Sequence, residues 1–138
     1  MSMKKTLIAT LAGFVVLAAG RYLLHEVILA KTYLDTADIW RPHDVMMHRI
    51  WVVQLASLIF ALAATLIYQR GVESKPWIGQ GIRFGILLAM VSAVPQALVE
   101  YFTLPIPHTL ALHWILGEGF LAVLLSVVIA GICQPEKK

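Results

Sequence analysis

The chain has 138 residues, of which 59% are hydrophobic and 14% charged, with a mean hydropathy of +0.79; a soluble domain carries about a quarter charged residues, so the balance excludes one and points to an integral membrane protein. Eleven Lys and Arg against eight Asp and Glu leave a formal net charge of +3, but the basic residues stand singly or paired beside apolar runs instead of forming a stripe, which excludes nucleic acid as a partner. The one cysteine, Cys133, excludes an internal disulfide framework and any CxxC motif, and its place near the end of an apolar run reads as a buried, inert thiol.

Lys4 and Lys5 precede an apolar run that imitates a secretory leader, with Ala18, Ala19 and Gly20 as a small-residue cleavage site. The run continues past that site to Leu24, which favours a retained first span over about 6–25. The loop from Glu26 to His48 is long enough to need structure of its own. Val27, Ile28, Tyr33, Leu34, Ala37 and Trp40 recur at steps of three and four with Lys31, Asp35 and Asp38 between them, the pattern of an amphipathic interfacial helix over about 27–40. Pro42 then restarts the chain at the first turn of a new helix, and Asp44 suits its positive end.

The stretch from Arg41 to Trp51, RPHDVMMHRIW, crowds two histidines, an aspartate and two methionines together. On a helix, His43 and Met47 share one face and Asp44 and His48 another, which splits the apparent metal cluster. His48 then remains as one contributor to a site shared with other helices. The second span covers about 50–69, and a short turn rich in glycine and proline leads to a third over about 81–103. Pro95 is expected to kink that span, beside Ser92, Gln96 and Glu100 spaced four apart on one face. The fourth span covers about 108–132, after a turn without Lys or Arg.

A bilayer core of about 30 Å takes roughly 20 residues as helix, and with no alternating strand pattern in sight a closed barrel is not an option. The fold class expected is all-α: one domain over 1–138, an integral membrane four-helix bundle with an additional amphipathic interfacial helix between helices one and two. Lys4, Lys5, Arg70, Lys75, Lys137 and Lys138 fall on one side of it, so both termini are expected to be cytoplasmic; Lys31, Arg41 and Arg49 of the first loop run against this rule and are offset there by Glu26, Asp35, Asp38 and Asp44. Arg83 reads as snorkelling to the same headgroups. Gly81 and Gly85 form a small-xxx-small step whose use, internal packing or oligomerisation, stays open.

Ionisable side chains in membrane spans are costly, so their placement is the best functional pointer in the sequence. Arg21, His25 and Glu26 end the first span, and His48 lies at the start of the second. Gln96 and Glu100 come late in the third, while His113 and Glu118 come early in the fourth. Up-down topology brings all of these to the outer half of the membrane. Ten residues from His108 at about 1.5 Å each place Glu118 roughly 15 Å deep, so it must be protonated or paired, with Arg21 able to pair with Glu100 or Glu118. His113 and Glu118 do not share a helix face. His25, His48 and His113, from three helices, are candidates to hold a metal ion, a haem iron or a quinone carbonyl.

With GRYLLHEVILAKTYLDTADIWRP, GQGIRFGILLAM and LPIPHTLALHW in this order, the chain resembles small bacterial four-span inner-membrane proteins of unassigned function. The resemblance implies a multi-pass protein of the bacterial cytoplasmic membrane and transfers no catalytic residue. A nucleotide-binding glycine loop, HExxH and a nucleophile elbow are absent from the sequence, so an enzyme is not the expectation. Its small interior and an interfacial helix favour a non-enzymatic accessory or assembly subunit, with the bilayer and a membrane protein or a second copy as partners. A haem-, metal- or quinone-binding protein and a small proton- or ion-linked transporter are the alternatives.

Overall fold

A computed structural model describes residues 2–134; Lys137 and Lys138, read above as topology signals, lie outside the described residues. Helix α1 (Met3–Arg21) starts at Ser2, whose hydroxyl accepts from the Lys5 N–H at 3.3 Å. It runs without a break into a π-helical turn, Tyr22–Ile28, which closes with Leu29 N donating to the Leu24 carbonyl. The stretch expected as one interfacial helix over about 27–40 is helical in shorter pieces, the end of the π turn, α2 (Ala30–Asp35) and a 3₁₀ turn (Ala37–Ile39), and the new helix expected after Pro42 is α3 (His43–His48). The break falls at Thr36, whose hydroxyl bonds back to the Thr32 carbonyl at 2.8 Å, a local alternative that weakens a helix end.

Helices α4 (Ile50–Arg70), α5 (Trp77–Val91), α6 (Ala93–Thr103) and α7 (His108–Ile132) complete the chain. Helices α5 and α6 are one span interrupted at Ser92, because Pro95 has no N–H to return to the carbonyl of Val91. The Ser92 hydroxyl turns instead to the Leu88 carbonyl at 2.6 Å. Four segments are long and apolar enough to cross a membrane: Met3–Ile28, Ile50–Arg70, Trp77–Thr103 and His108–Ile132. The protein is an all-α, multi-pass membrane bundle, and among the described residues there is no strand.

Helix α7 sits at the centre. It packs most extensively against α5, then against α1 and α6, while α4 leans chiefly on α1. Lipid tails are as apolar as leucine, so close van der Waals fit, more than transfer from water, must hold such helices together. Small residues provide that fit. Gly81 and Gly85 lie so close to α7 that a Cβ on either would meet the backbone of Val127 or Val123. Their small-xxx-small step therefore serves internal packing. On the other flank Leu125 fills the space over Gly13, Leu121 that over Gly20, and Leu24 that over Gly117. The inward face of α4 is Ser57, Ala61, Ala64, Thr65 and Tyr68, all buried at helical spacing. Leu17, Leu110, Leu125 and Ile129 form the fully buried centre.

The bundle has two chemically distinct ends. One, called here the loop end, carries residues 29–49 and the 104–107 turn; the other, the terminal end, carries Ser2 and the 71–76 connection. At the terminal end Gln69 of α4 donates to Thr6 Oγ1 at 2.9 Å and to Cys133 Sγ at 3.7 Å. Cys133 is buried, and burial pushes its thiol pKa up.

Candidate functional site

The loop end holds a connected set of polar side chains. Arg21, the last residue of α1, directs its guanidinium across to α7, where Nε lies 3.1 Å and Nη2 3.0 Å from Glu118 Oε2. Its third arm, Nη1, donates to the Ser57 hydroxyl of α4 at 2.7 Å, and Ser57 in turn donates to the Val53 carbonyl at 2.8 Å. One arginine thus ties three spans. The other carboxylate oxygen, Oε1, lies 3.1 Å from His25 Nε2, four residues on from Arg21 in the π turn.

From His25 the chain of contacts leaves the spans. His25 Nδ1 is 2.6 Å from the hydroxyl of Tyr33 on α2, and that hydroxyl accepts from Trp114 Nε1 of α7 at 2.7 Å. An indole N–H can only donate, so the Tyr33 proton is free to point at His25 Nδ1. With a proton on its Nε2, His25 then donates to Glu118. That assignment satisfies every group in the chain Trp114, Tyr33, His25, Glu118.

Burial gives this end its low-dielectric character. The side chains of Arg21, His25 and Glu118 are 26%, 31% and 20% exposed. Tyr33 packs edge-on against Trp40, which packs likewise against Trp114. Burial is the main reason the Tyr33 phenol pKa is pushed up to about 12; the Trp114 hydrogen bond opposes that, while the charges of Glu118, Glu100 and Glu26 add to it.

Of the eight residues singled out in the sequence, Arg21, His25 and Glu118 meet here. Of the two acids open to Arg21, Glu118 is the one it binds. Glu26 turns the other way, 3.6 Å from exposed His43 of α3. His48 is exposed at the end of α3. Gln96 is exposed on α6 and donates to Glu100 Oε1 at 2.9 Å; Glu100 is half-buried. His113 is exposed and bonds through Nδ1 to its own helix, at the Thr109 carbonyl. Five residues on a helix turn the chain about 140° beyond a full turn, which is why His113 looks outward while Glu118 looks in. His25, His48 and His113 are not brought together, and among the described residues no group of three or more His, Cys, Asp or Glu is arranged to hold a metal ion.

Three partners of the cluster escaped the sequence reading. Ser57 is an ordinary small residue of an apolar span, and Trp114 reads as an aromatic-belt residue. Tyr33 was legible as part of an amphipathic face, but amphipathicity says that its ring is buried and not where its hydroxyl goes. Gln80, at 8% exposure, also went unremarked: it accepts from the Glu73 N–H and donates to the Glu73 and Lys75 carbonyls, clamping the 71–76 connection.

Comparison of the chain with protein-family models, with curated proteins and with solved structures finds no match.

Proposed function

We propose that this multi-pass membrane protein is a non-enzymatic accessory or assembly subunit of a larger membrane complex, seated in a bacterial cytoplasmic membrane with both termini on the cytoplasmic side. The orientation rests on Lys4, Lys5, Arg70 and Lys75, which share the terminal end, while the 104–107 turn has no basic residue. The subunit reading rests on one observation: Gln96 and Glu100 form a hydrogen-bonded polar pair on the outward side of a membrane span.

Gln96 is seven residues, about 10 Å, from the helix end at Thr103. Glu100 is only three residues, about 4.5 Å, from that end, so the exposed amide of Gln96 is the deeper group. An amide turned to hydrocarbon with hydrogen-bonding capacity left over costs about 1–3 kcal/mol, so the surface around Gln96 is expected to be covered by protein. His113, exposed on α7, has the same need. Arg21, His25 and Glu118 are by contrast satisfied within the chain, as an internal strut would be. The test is a photo-crosslinking residue at Gln96 in the native membrane. Transfer of the label to a different protein is the expected result, and labelling of lipid alone would overturn the reading.

A second reading, a small proton- or ion-linked transporter, is favoured by the continuous row Tyr33, His25, Glu118, with links of 2.6 and 3.1 Å. Such a row can pass a proton between the loop end and the interior of a span. Unchanged proton or ion flux in proteoliposomes after Glu118→Gln would remove its central residue.

A further inference from the structure

At the terminal end, α4 and α5 separate and leave a groove of about 350 Å³ between them. We propose that this groove binds one phospholipid with an anionic headgroup, its phosphate on Arg83 and an acyl chain along Ile67, Phe84 and Leu87.

The groove exists because α5 is drawn against α7 through Gly81 and Gly85 while α4 leans on α1, so the two spans joined by the 71–76 connection are pulled apart. Tyr68 and Phe84 bridge the gap edge to face, with centroids 5.4 Å apart. The gap is fixed in shape, since Gln80 holds the connection by three hydrogen bonds. Its walls are the apolar side chains named above, and its mouth carries Arg83 and Glu73.

Charge selects the occupant. Glu73 is paired with Lys75, which holds its carboxyl below the ordinary range. Arg70 stands exposed at the end of α4. Arg83 is bonded only through Nε, to the Gly79 carbonyl at 3.2 Å, so among the described residues its two terminal nitrogens have no hydrogen-bond partner. That bond draws the guanidinium back along α5 toward the helix start, the level at which headgroup phosphates lie. A planar fork with free donors matches a phosphate diester, and because Glu73 is neutralised by Lys75 the remaining charge of Arg83 favours a lipid that carries no compensating ammonium.

The experiment is lipid competition on the full chain. The protein is reconstituted in nanodiscs of equimolar phosphatidylglycerol and phosphatidylcholine, released, and its retained lipids are counted by native mass spectrometry. Wild type is expected to retain phosphatidylglycerol in preference. Arg83→Gln should lower that preference about fivefold, the worth of one basic residue at a membrane surface, while Arg83→Lys keeps most of it. Leu87→Trp, which fills the groove without touching the charge, should release the bound lipid of either kind. Helicity of each variant is checked by circular dichroism; Arg83 and Leu87 are exposed, so the bundle does not depend on them. Equal retention of the two lipids by wild type, an unchanged preference in Arg83→Gln, or a protein instead of lipid captured by a photo-crosslinker at position 87 in the native membrane would each overturn the proposal.

Discussion

Arg21 and Glu118, 97 residues apart in the chain, meet at 3.0 Å between the first and last spans, and the same guanidinium reaches Ser57 on the second. The pair is partly enclosed, at 26% and 20% exposure. Breaking it leaves one charge without its counter-ion in a low-dielectric setting, which costs more than the pair itself contributes. Glu118→Leu is therefore expected to destabilise the bundle by about 3 kcal/mol. The double variant Arg21→Met with Glu118→Leu should lose less than Glu118→Leu alone, because no charge is then stranded. Unfolding titrations in mixed micelles measure both, and a double variant weaker than the worse single one would mean that the pair does not act as a unit.

Tyr33 links the loop segment to the bundle, and its ionisation sets an alkaline limit. With the folded-state pKa pushed up to about 12 from the ordinary 10.0, both states hold the proton below pH 10 and the stabilisation is complete. Between pH 10 and 12 the released segment loses its proton while the docked one keeps it, so stability falls as pH rises through that window. Tyr33→Phe should flatten this part of the profile. At neutral pH it should also cost about 1 kcal/mol, since Trp114 Nε1 and His25 Nδ1 lose their common partner. Fluorescence of the four tryptophans followed against pH, variant beside wild type, reads the difference.

The approach of α5 to α7 depends on the missing side chains of Gly81 and Gly85. A methyl group at Gly85 meets the backbone of Val123, which cannot step aside as a side-chain tip can. Gly85→Ala is expected to cost about 1–3 kcal/mol. Gly79, in the first turn of the same helix, has nothing within 4 Å, so Gly79→Ala should be neutral or stabilising by up to about 1 kcal/mol through helix propensity. Comparing the two in one unfolding assay separates packing from propensity.

Gln80 is a buried side chain spent wholly on a loop. Gln80→Leu keeps the volume and removes three hydrogen bonds to the Glu73 and Lys75 backbone. The connection should then open locally, with amide exchange at Glu73 faster than in wild type by more than tenfold if the loss is about 1.5 kcal/mol or greater. Exchange rates in the first turns of α1, at the same end but without a bond to Gln80, serve as the internal reference.

Reading the spans needed nothing beyond local composition. The apolar runs expected at about 6–25, 50–69, 81–103 and 108–132 correspond to Met3–Ile28, Ile50–Arg70, Trp77–Thr103 and His108–Ile132, because a bilayer imposes one length on every crossing segment. The break near Pro95 was legible for the same kind of reason: a missing N–H acts within one turn of its own residue. The need of Glu118 for a partner also followed from depth alone.

What the chain order could not say was which partner, or which face of each helix would look inward. Arg21 had two acids within reach along the sequence; the rotation of α7 against α1, governed by Leu121 over Gly20 and Leu125 over Gly13, turned Glu118 toward it. The same rotation left His113 on the outside, and the turn of α6 left Gln96 there with it. Local sequence determines whether a segment crosses and where it bends, since those depend on neighbours along the chain. Which side chains meet depends on the fit of whole helix surfaces, and only the tertiary structure decided that Arg21, Glu118, His25 and Tyr33 would form one connected site.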